Sequence, residues 1–131
     1  MRVLRSAVRR AADLGAAGVV VALVKHLKSI GYRPGVISRG YGGNADSYPL
    51  DMSDATGSYM SGDEPYLIRR RTSVPVVVDP DRVQAAKTLL ANHQVDLIIS
   101  DDDYYLIWLR ILEKFLGETV KIQSDEIIQY F

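Results

Sequence analysis

Apolar positions along the chain fall into short, strand-length runs separated by stretches of helical spacing. Val36-Ile37-Ser38, Val74-Pro75-Val76-Val77-Val78 and Val95-Asp96-Leu97-Ile98-Ile99 are the strand-like runs. They are nearly continuous in apolar residues, as strands covered on both faces tend to be. Between them, apolar residues recur every three to four positions. Val19–Ile30 predicts a helix stopping at Gly31, a residue favoured just past a helix end. Asp63–Arg71 predicts a second, and Pro80-Asp81 open a third over Asp81–Asn92, with Val83, Ala86, Leu89 and Leu90 on one face. Toward the ends, Met1–Ala12 predicts a helix with a basic face, and Tyr104–Leu116 a strongly apolar helix stopping at Gly117. Thr119–Ile122 alternates like a last strand, and Ser124 or Asp125 is placed to cap a short final helix. Gly40–Gly62 breaks the rhythm with five glycines, Pro49 and many Asp, Ser and Asn residues, and predicts a long loop. Strands alternating with helices predict a single α/β domain over residues 1–131. Its expected core is a Rossmann-like, mostly parallel sheet of about four strands with helices on both faces, making three layers.

Composition narrows the function classes. The 131 residues carry 16 Lys/Arg against 16 Asp/Glu, so a globally basic nucleic-acid binder is not expected. The absence of cysteine excludes disulfide scaffolds, thiolate metal sites and thiol nucleophiles. His26 and His93 alone do not predict a multi-histidine metal site, and each reads as an ordinary helix-surface residue. The longest apolar run, Ala16–Val24, falls short of the ~20 residues needed to cross a bilayer. The arginine-bearing N-terminus carries no signal-peptide pattern. A soluble, intracellular globule is the resulting expectation.

Candidate chemistry is sought just after each strand, because open α/β sheets bind ligands beyond the carboxyl ends of their strands. Val36-Ile37 is followed by Ser38-Arg39-Gly40-Tyr41-Gly42-Gly43. Its glycines permit tight turns and close backbone approach, while Arg39 offers a fixed fork for phosphate or carboxylate. A flexible loop entrance bearing a surface arginine fits the same residues. Val95–Ile99 ends in Ser100-Asp101-Asp102-Asp103, where carboxylates would either hold Mg²⁺ or cap and solvate the next helix. Gly62-Asp63-Glu64-Pro65 reads either as a helix start capped by Asp63 or as a carboxylate placed to take a proton from an attacking hydroxyl.

Taken together, in order and spacing, these three motifs resemble the tetraacyldisaccharide 4′-kinase family. Its members are P-loop kinases that phosphorylate the lipid A precursor at the cytoplasmic face of the bacterial inner membrane. The likeness extends through Val19–Leu27, Tyr48-Pro49-Leu50 and Val74–Leu90, over about residues 18–102. The resemblance implies that Asp63 is the catalytic acid/base and that Asp101 and Asp102 lie near Mg²⁺. It also implies that Ser38, Arg39, Gly40, Tyr41 and Gly42 line the nucleotide and sugar-phosphate cleft.

The likeness fails at both ends. The family enters its long helix through Gly-Gly-x-Gly-Lys-Thr-Pro, and over that loop this chain places Ala12-Asp13-Leu14-Gly15-Ala16-Ala17-Gly18. Gly15 is retained, whereas Ala16 and Ala17 replace the lysine and threonine, and Asp13 adds a negative charge. Arg5, Arg9 and Arg10 stand where the family has an apolar strand, so one or two helices are expected there, with Gly15 and Gly18 near the junction. Asp103-Tyr104-Tyr105 replaces the family's glycine and Gln-His, and the family's second lobe with its histidine is not expected. Residues 1–17 and 103–131 therefore read as divergent segments flanking a kinase-like core.

The expected function is a non-catalytic α/β domain, an engineered, recombined or truncated derivative of the family's nucleotide-binding lobe. No cofactor and no stable small-molecule ligand are expected. One alternative is a phosphotransferase acting on the lipid A disaccharide, which would need Mg²⁺ and ATP. Another is a module that meets an anionic membrane or a partner through Arg2, Arg5, Arg9 and Arg10, with self-association through the Trp108 helix.

Overall fold

In a computed structural model, residues 15–100 are described. Eight elements occur in order: α1 Gly15–Ser29, β1 Pro34–Ser38, β2 Leu50–Asp51, α2 Ser58–Ser61, α3 Asp63–Thr72, β3 Val76–Val78, α4 Arg82–Asn92 and β4 Leu97–Ser100. The basic helix expected over 1–12, Asp13, the carboxylates Asp101, Asp102 and Asp103, the Trp108 helix, the strand expected over 119–122 and the final short helix lie outside the described residues.

The four strands form one sheet in the order β2-β3-β1-β4. β1 runs parallel to both neighbours, with Val36 opposite Val76 on one side and Ile99 on the other. Chain direction explains the layers. The β1-to-β3 and β3-to-β4 connections cross the sheet in opposite senses, and right-handed crossovers of opposite sense must lie on opposite faces. Strand alternation supplies an apolar surface for each face. Val36, Val76, Val78, Leu97 and Ile99 join Val20, Leu23, Val24 and Leu27 of α1 and Ile68 of α3 in one core. Ile37, Val77 and Ile98 point the other way, onto Ala85, Ala86 and Leu89 of α4. Burying one such side chain as completely as Ile68, at 0% exposure, is worth ~1.5–3 kcal/mol.

Several element boundaries differ from the sequence expectation for local reasons. The first described helix is already formed at Gly15 rather than beginning at Val19, so Gly15 and Gly18 lie within it; the segment expected to join it from the N-terminal side lies outside the described residues. It ends as expected: Gly31 at φ 95° lets its N–H reach Lys28 and the Tyr32 N–H reach Leu27, which satisfies the last carbonyls. β3 begins at Val76 rather than Val74, because Pro75 has no N–H to give the ladder, though its carbonyl accepts from the Val36 N–H. The Gly40–Gly62 stretch is not wholly loop. Leu50-Asp51 pairs antiparallel with Val78-Val77, and the Met52 N–H extends the pairing to the Val76 carbonyl. The expected total of about four strands is thus reached among the described residues through β2.

His93 also departs from expectation. It closes the C-terminus of α4, and its Nε2 lies 2.9 Å from both carboxylate oxygens of Asp51, while the Asn92 side-chain amide donates to Asp51 Oδ2 at 3.1 Å. Far from being an ordinary helix-surface group, it ties α4 to the short outer strand.

Candidate functional site

β1 leaves the sheet toward the face carrying α3, and β3 leaves toward the face carrying α4. Neighbouring strands whose exits diverge open a crevice at their carboxyl ends. Ser38 closes β1 and is 3% exposed; its Oγ accepts from the Gly40 N–H at 3.1 Å. This bond turns the chain sharply out of the strand. Gly40, at φ 71°, lies so near Val78 that a Cβ would come within 2.3 Å of that side chain. Gly40 to Gly43 then forms a turn closed by a 2.8 Å bond from the Gly43 N–H to the Gly40 carbonyl. Gly42 sits at φ 78°, as the third residue of such a turn requires. Arg39 is exposed, and Tyr41 at the tip is 97% exposed.

Glycine-on-glycine packing brings this turn onto the second motif. A Cβ at Gly43 would stand 2.7 Å from the Gly62 nitrogen, the Met60 oxygen and the Ser61 carbon. A Cβ at Gly62, itself at φ 90°, would stand 2.7 Å from the Tyr41 oxygen. Asn44 adds two bonds to Tyr59, backbone to backbone and amide to hydroxyl, both 2.8 Å. Ser38–Gly43 and Gly62–Asp63 are therefore one backbone-packed unit, although some twenty residues separate them in the chain.

Asp63 is the first residue of α3 and is exposed. The N-cap is Gly62, with no side-chain cap, so the expectation that Asp63 caps this helix is corrected. Instead Asp63 and Glu64 occupy the first turn, where carboxylates are favoured by the helix dipole. A carboxylate that caps nothing keeps its lone pairs for other partners. Gly15 lies in α1, and Ala17 beside it is 5% exposed within the core. Asp101 and Asp102 lie outside the described residues; the strand leading to them ends at Ser100, 3% exposed and registered against Ile37 of β1.

Asp79 is a site residue that sequence reasoning missed. It stands directly after β3, is 7% exposed, and its backbone N–H donates to the Ser38 carbonyl at 2.9 Å. Its Oδ1 accepts from the Asp81 N–H at 2.8 Å, setting the turn into α4. The signal that could have found it is the one used for β1 and β4, a polar residue at the carboxyl end of an apolar run, here Val76-Val77-Val78-Asp79. Among the described residues no group of three or more His, Asp or Glu side chains is arranged to hold a metal ion. No helix among them is long and apolar enough to cross a membrane.

The profile of the tetraacyldisaccharide-1-P 4′-kinase family, LpxK, matches residues 14–105, an interval that contains all three motifs. Tetraacyldisaccharide 4′-kinases from two Vibrio cholerae serotype O1 strains, one classical Ogawa and one El Tor Inaba, are each 54% identical to this chain over 88 residues. Those residues are 67% of this chain and 26% of each relative, so the chain spans about a quarter of the length of the curated relatives it matches. No solved structure matches at a significant level. With the family profile covering most of the chain and 54% identity to its members over 88 residues, the chain belongs to the tetraacyldisaccharide 4′-kinase family.

Proposed function

We propose that this chain is a non-catalytic member of the family: the α/β frame of a nucleotide-binding lobe, altered by engineering or recombination, that does not hold Mg·ATP. The observation that carries this reading is Ala17. It stands where the family's phosphate-binding loop has a threonine, and it lies in helix α1 at 5% exposure, within the apolar core. A hydroxyl that ligates a metal ion must face the nucleotide, and a side chain at a core position cannot do so. Ala16 likewise offers no ammonium for the β- and γ-phosphates. Ala16 and Ala17 do not fit Mg·ATP. Each lost charge-assisted contact is worth ~1.5–3 kcal/mol, so losing two weakens binding by at least ~100-fold.

Isothermal titration with Mg²⁺ and ATP tests the reading. No heat of binding is expected at micromolar nucleotide, and micromolar affinity would overturn it. The variant Ala16→Lys/Ala17→Thr is expected to lack micromolar affinity as well, because the second substitution places its hydroxyl in the core.

A second reading, a phosphotransferase acting on the lipid A disaccharide precursor at the cytoplasmic face of the inner membrane, is favoured by Asp63. That carboxylate is exposed and uncapping, at the edge of the packed glycine turn. Phosphate transfer to the disaccharide that disappears in Asp63→Ala would establish this reading against the first.

A further inference from the structure

We propose that a cleft at the opposite end of the sheet binds a phosphate group. The cleft has a volume of about 190 Å³ and is lined by Ser53, Asp54, Thr56, Tyr66, Arg69, Arg70 and Ser73. It lies between the turn after β2 and the C-terminal half of α3, far along that helix from Asp63.

Arg69 gives Nη1 to the Val74 carbonyl at 3.3 Å and Nη2 to Asp54 at 2.9 Å, while its buried Nε has no acceptor. Arg70 donates Nη1 to the Tyr66 hydroxyl at 2.7 Å and lies over that ring at 5.9 Å. A hydroxyl that accepts there keeps its own proton to donate. Ser53 and Thr56 are paired at 3.4 Å, and that pairing uses only one of their two protons. Asp54 is the sole carboxylate in the lining, against the guanidinium groups of Arg69 and Arg70. Its side chain is 95% exposed, against 19% for Arg69.

Two guanidinium groups and several hydroxyl protons facing one exposed carboxylate call for a ligand rich in acceptors and carrying negative charge. A phosphate group matches that chemistry, and guanidinium forks suit its geometry. The negative pole at this end of α3 does not cancel the attraction. The Lys28 ammonium covers the Thr72 carbonyl at 3.0 Å, the Thr72 hydroxyl covers that of Ile68, and the Ser73 N–H covers that of Arg69. With Asp54 paired to Arg69, the Arg70 guanidinium is left as a local surplus of positive charge.

The test is a titration of the full chain with inorganic phosphate at constant ionic strength, monitored through the backbone amides of Thr56 and Ser73. Saturable shifts are expected in the wild type. Arg70 is exposed and takes no part in the core, so Arg70→Gln keeps the fold, as a thermal melt checks, and is expected to weaken binding by ~10-fold or more. Asp54→Asn removes the competing carboxylate and is expected to tighten it. A parallel arm uses vesicles of phosphatidylcholine with and without phosphatidic acid. Binding to the anionic vesicles that Arg70→Gln abolishes, without a response to free phosphate, assigns the site to a lipid headgroup; the converse assigns it to a soluble phosphate. No saturable response in either arm, or a response unchanged in Arg70→Gln, overturns the proposal.

Discussion

Replacing Gly43 by alanine tests whether backbone packing, and not side-chain chemistry, holds the two family motifs together. The added methyl would meet the Gly62 nitrogen, the Met60 oxygen and the Ser61 carbon, each at 2.7 Å. Carbon contacts are most favourable at ~3.5–4.0 Å, so all three are deep in the repulsive range. None belongs to a flexible side chain that could swing aside. Relief requires the Gly40–Gly43 turn to move off the chain entering α3. Small-to-large changes of this kind cost ~1–3 kcal/mol, and the upper half of that range is expected because the obstruction is backbone on three sides. A loss of ~2 kcal/mol raises the unfolded fraction about 30-fold. Gly42→Ala is the matched comparison: it has open space around it but sits at φ 78°. It therefore carries the left-handed penalty of ~1–2 kcal/mol, less the ~0.4–1 kcal/mol gained by restricting the unfolded chain. Urea unfolding monitored by circular dichroism measures both. Amide exchange at Asn44, whose N–H bonds the Tyr59 carbonyl at 2.8 Å, separates the mechanisms. Gly43→Ala should lose that protection and Gly42→Ala should keep it. If Gly43→Ala stays within ~0.5 kcal/mol of wild type and Asn44 remains protected, the packing argument is wrong.

Two further substitutions check how the sheet is framed. Asp81 accepts from the Val83 and Gln84 N–H groups at the start of α4, so Asp81→Ala is expected to cost ~1 kcal/mol in urea unfolding, and Asp81→Ser much less. The contact between His93 and Asp51 has side chains 30% and 28% exposed. A double-mutant cycle of His93→Ala and Asp51→Ala is expected to give a coupling of ~0.5 kcal/mol, with zero coupling showing that the pair does not tie β2 to α4.

The alternation of strand and helix, the three principal strands and the spans of α3 and α4 were legible in the chain, because each rests on local periodicity or on a residue with one strong conformational preference. Gly31 as a helix stop and Asp81 at a helix start are of this kind: a positive φ and a side-chain cap depend on neighbours a few positions away. The pairing of Leu50-Asp51 was not legible, since two residues carry no period, and the strand exists only because Val78-Val77 offers it an edge. Gly62 rather than Asp63 caps α3 for a similar reason, as the Gly40–Gly43 turn occupies the space in which a larger residue at position 62 would stand. His93 looked like a surface group because nothing near it in the chain shows that Asp51, 42 residues earlier, lies within reach.

The order of residues alone established the layered α/β class and the kinase-like motifs. Tertiary structure decided that two glycine-rich motifs share one backbone contact, that Ala17 faces the core, and that Arg69 and Arg70 meet Ser53 and Thr56 across a cleft. The division has a physical cause. Propensity and periodicity act over one or two turns of chain, whereas excluded volume and hydrogen-bond satisfaction act between segments that meet only once the sheet has formed.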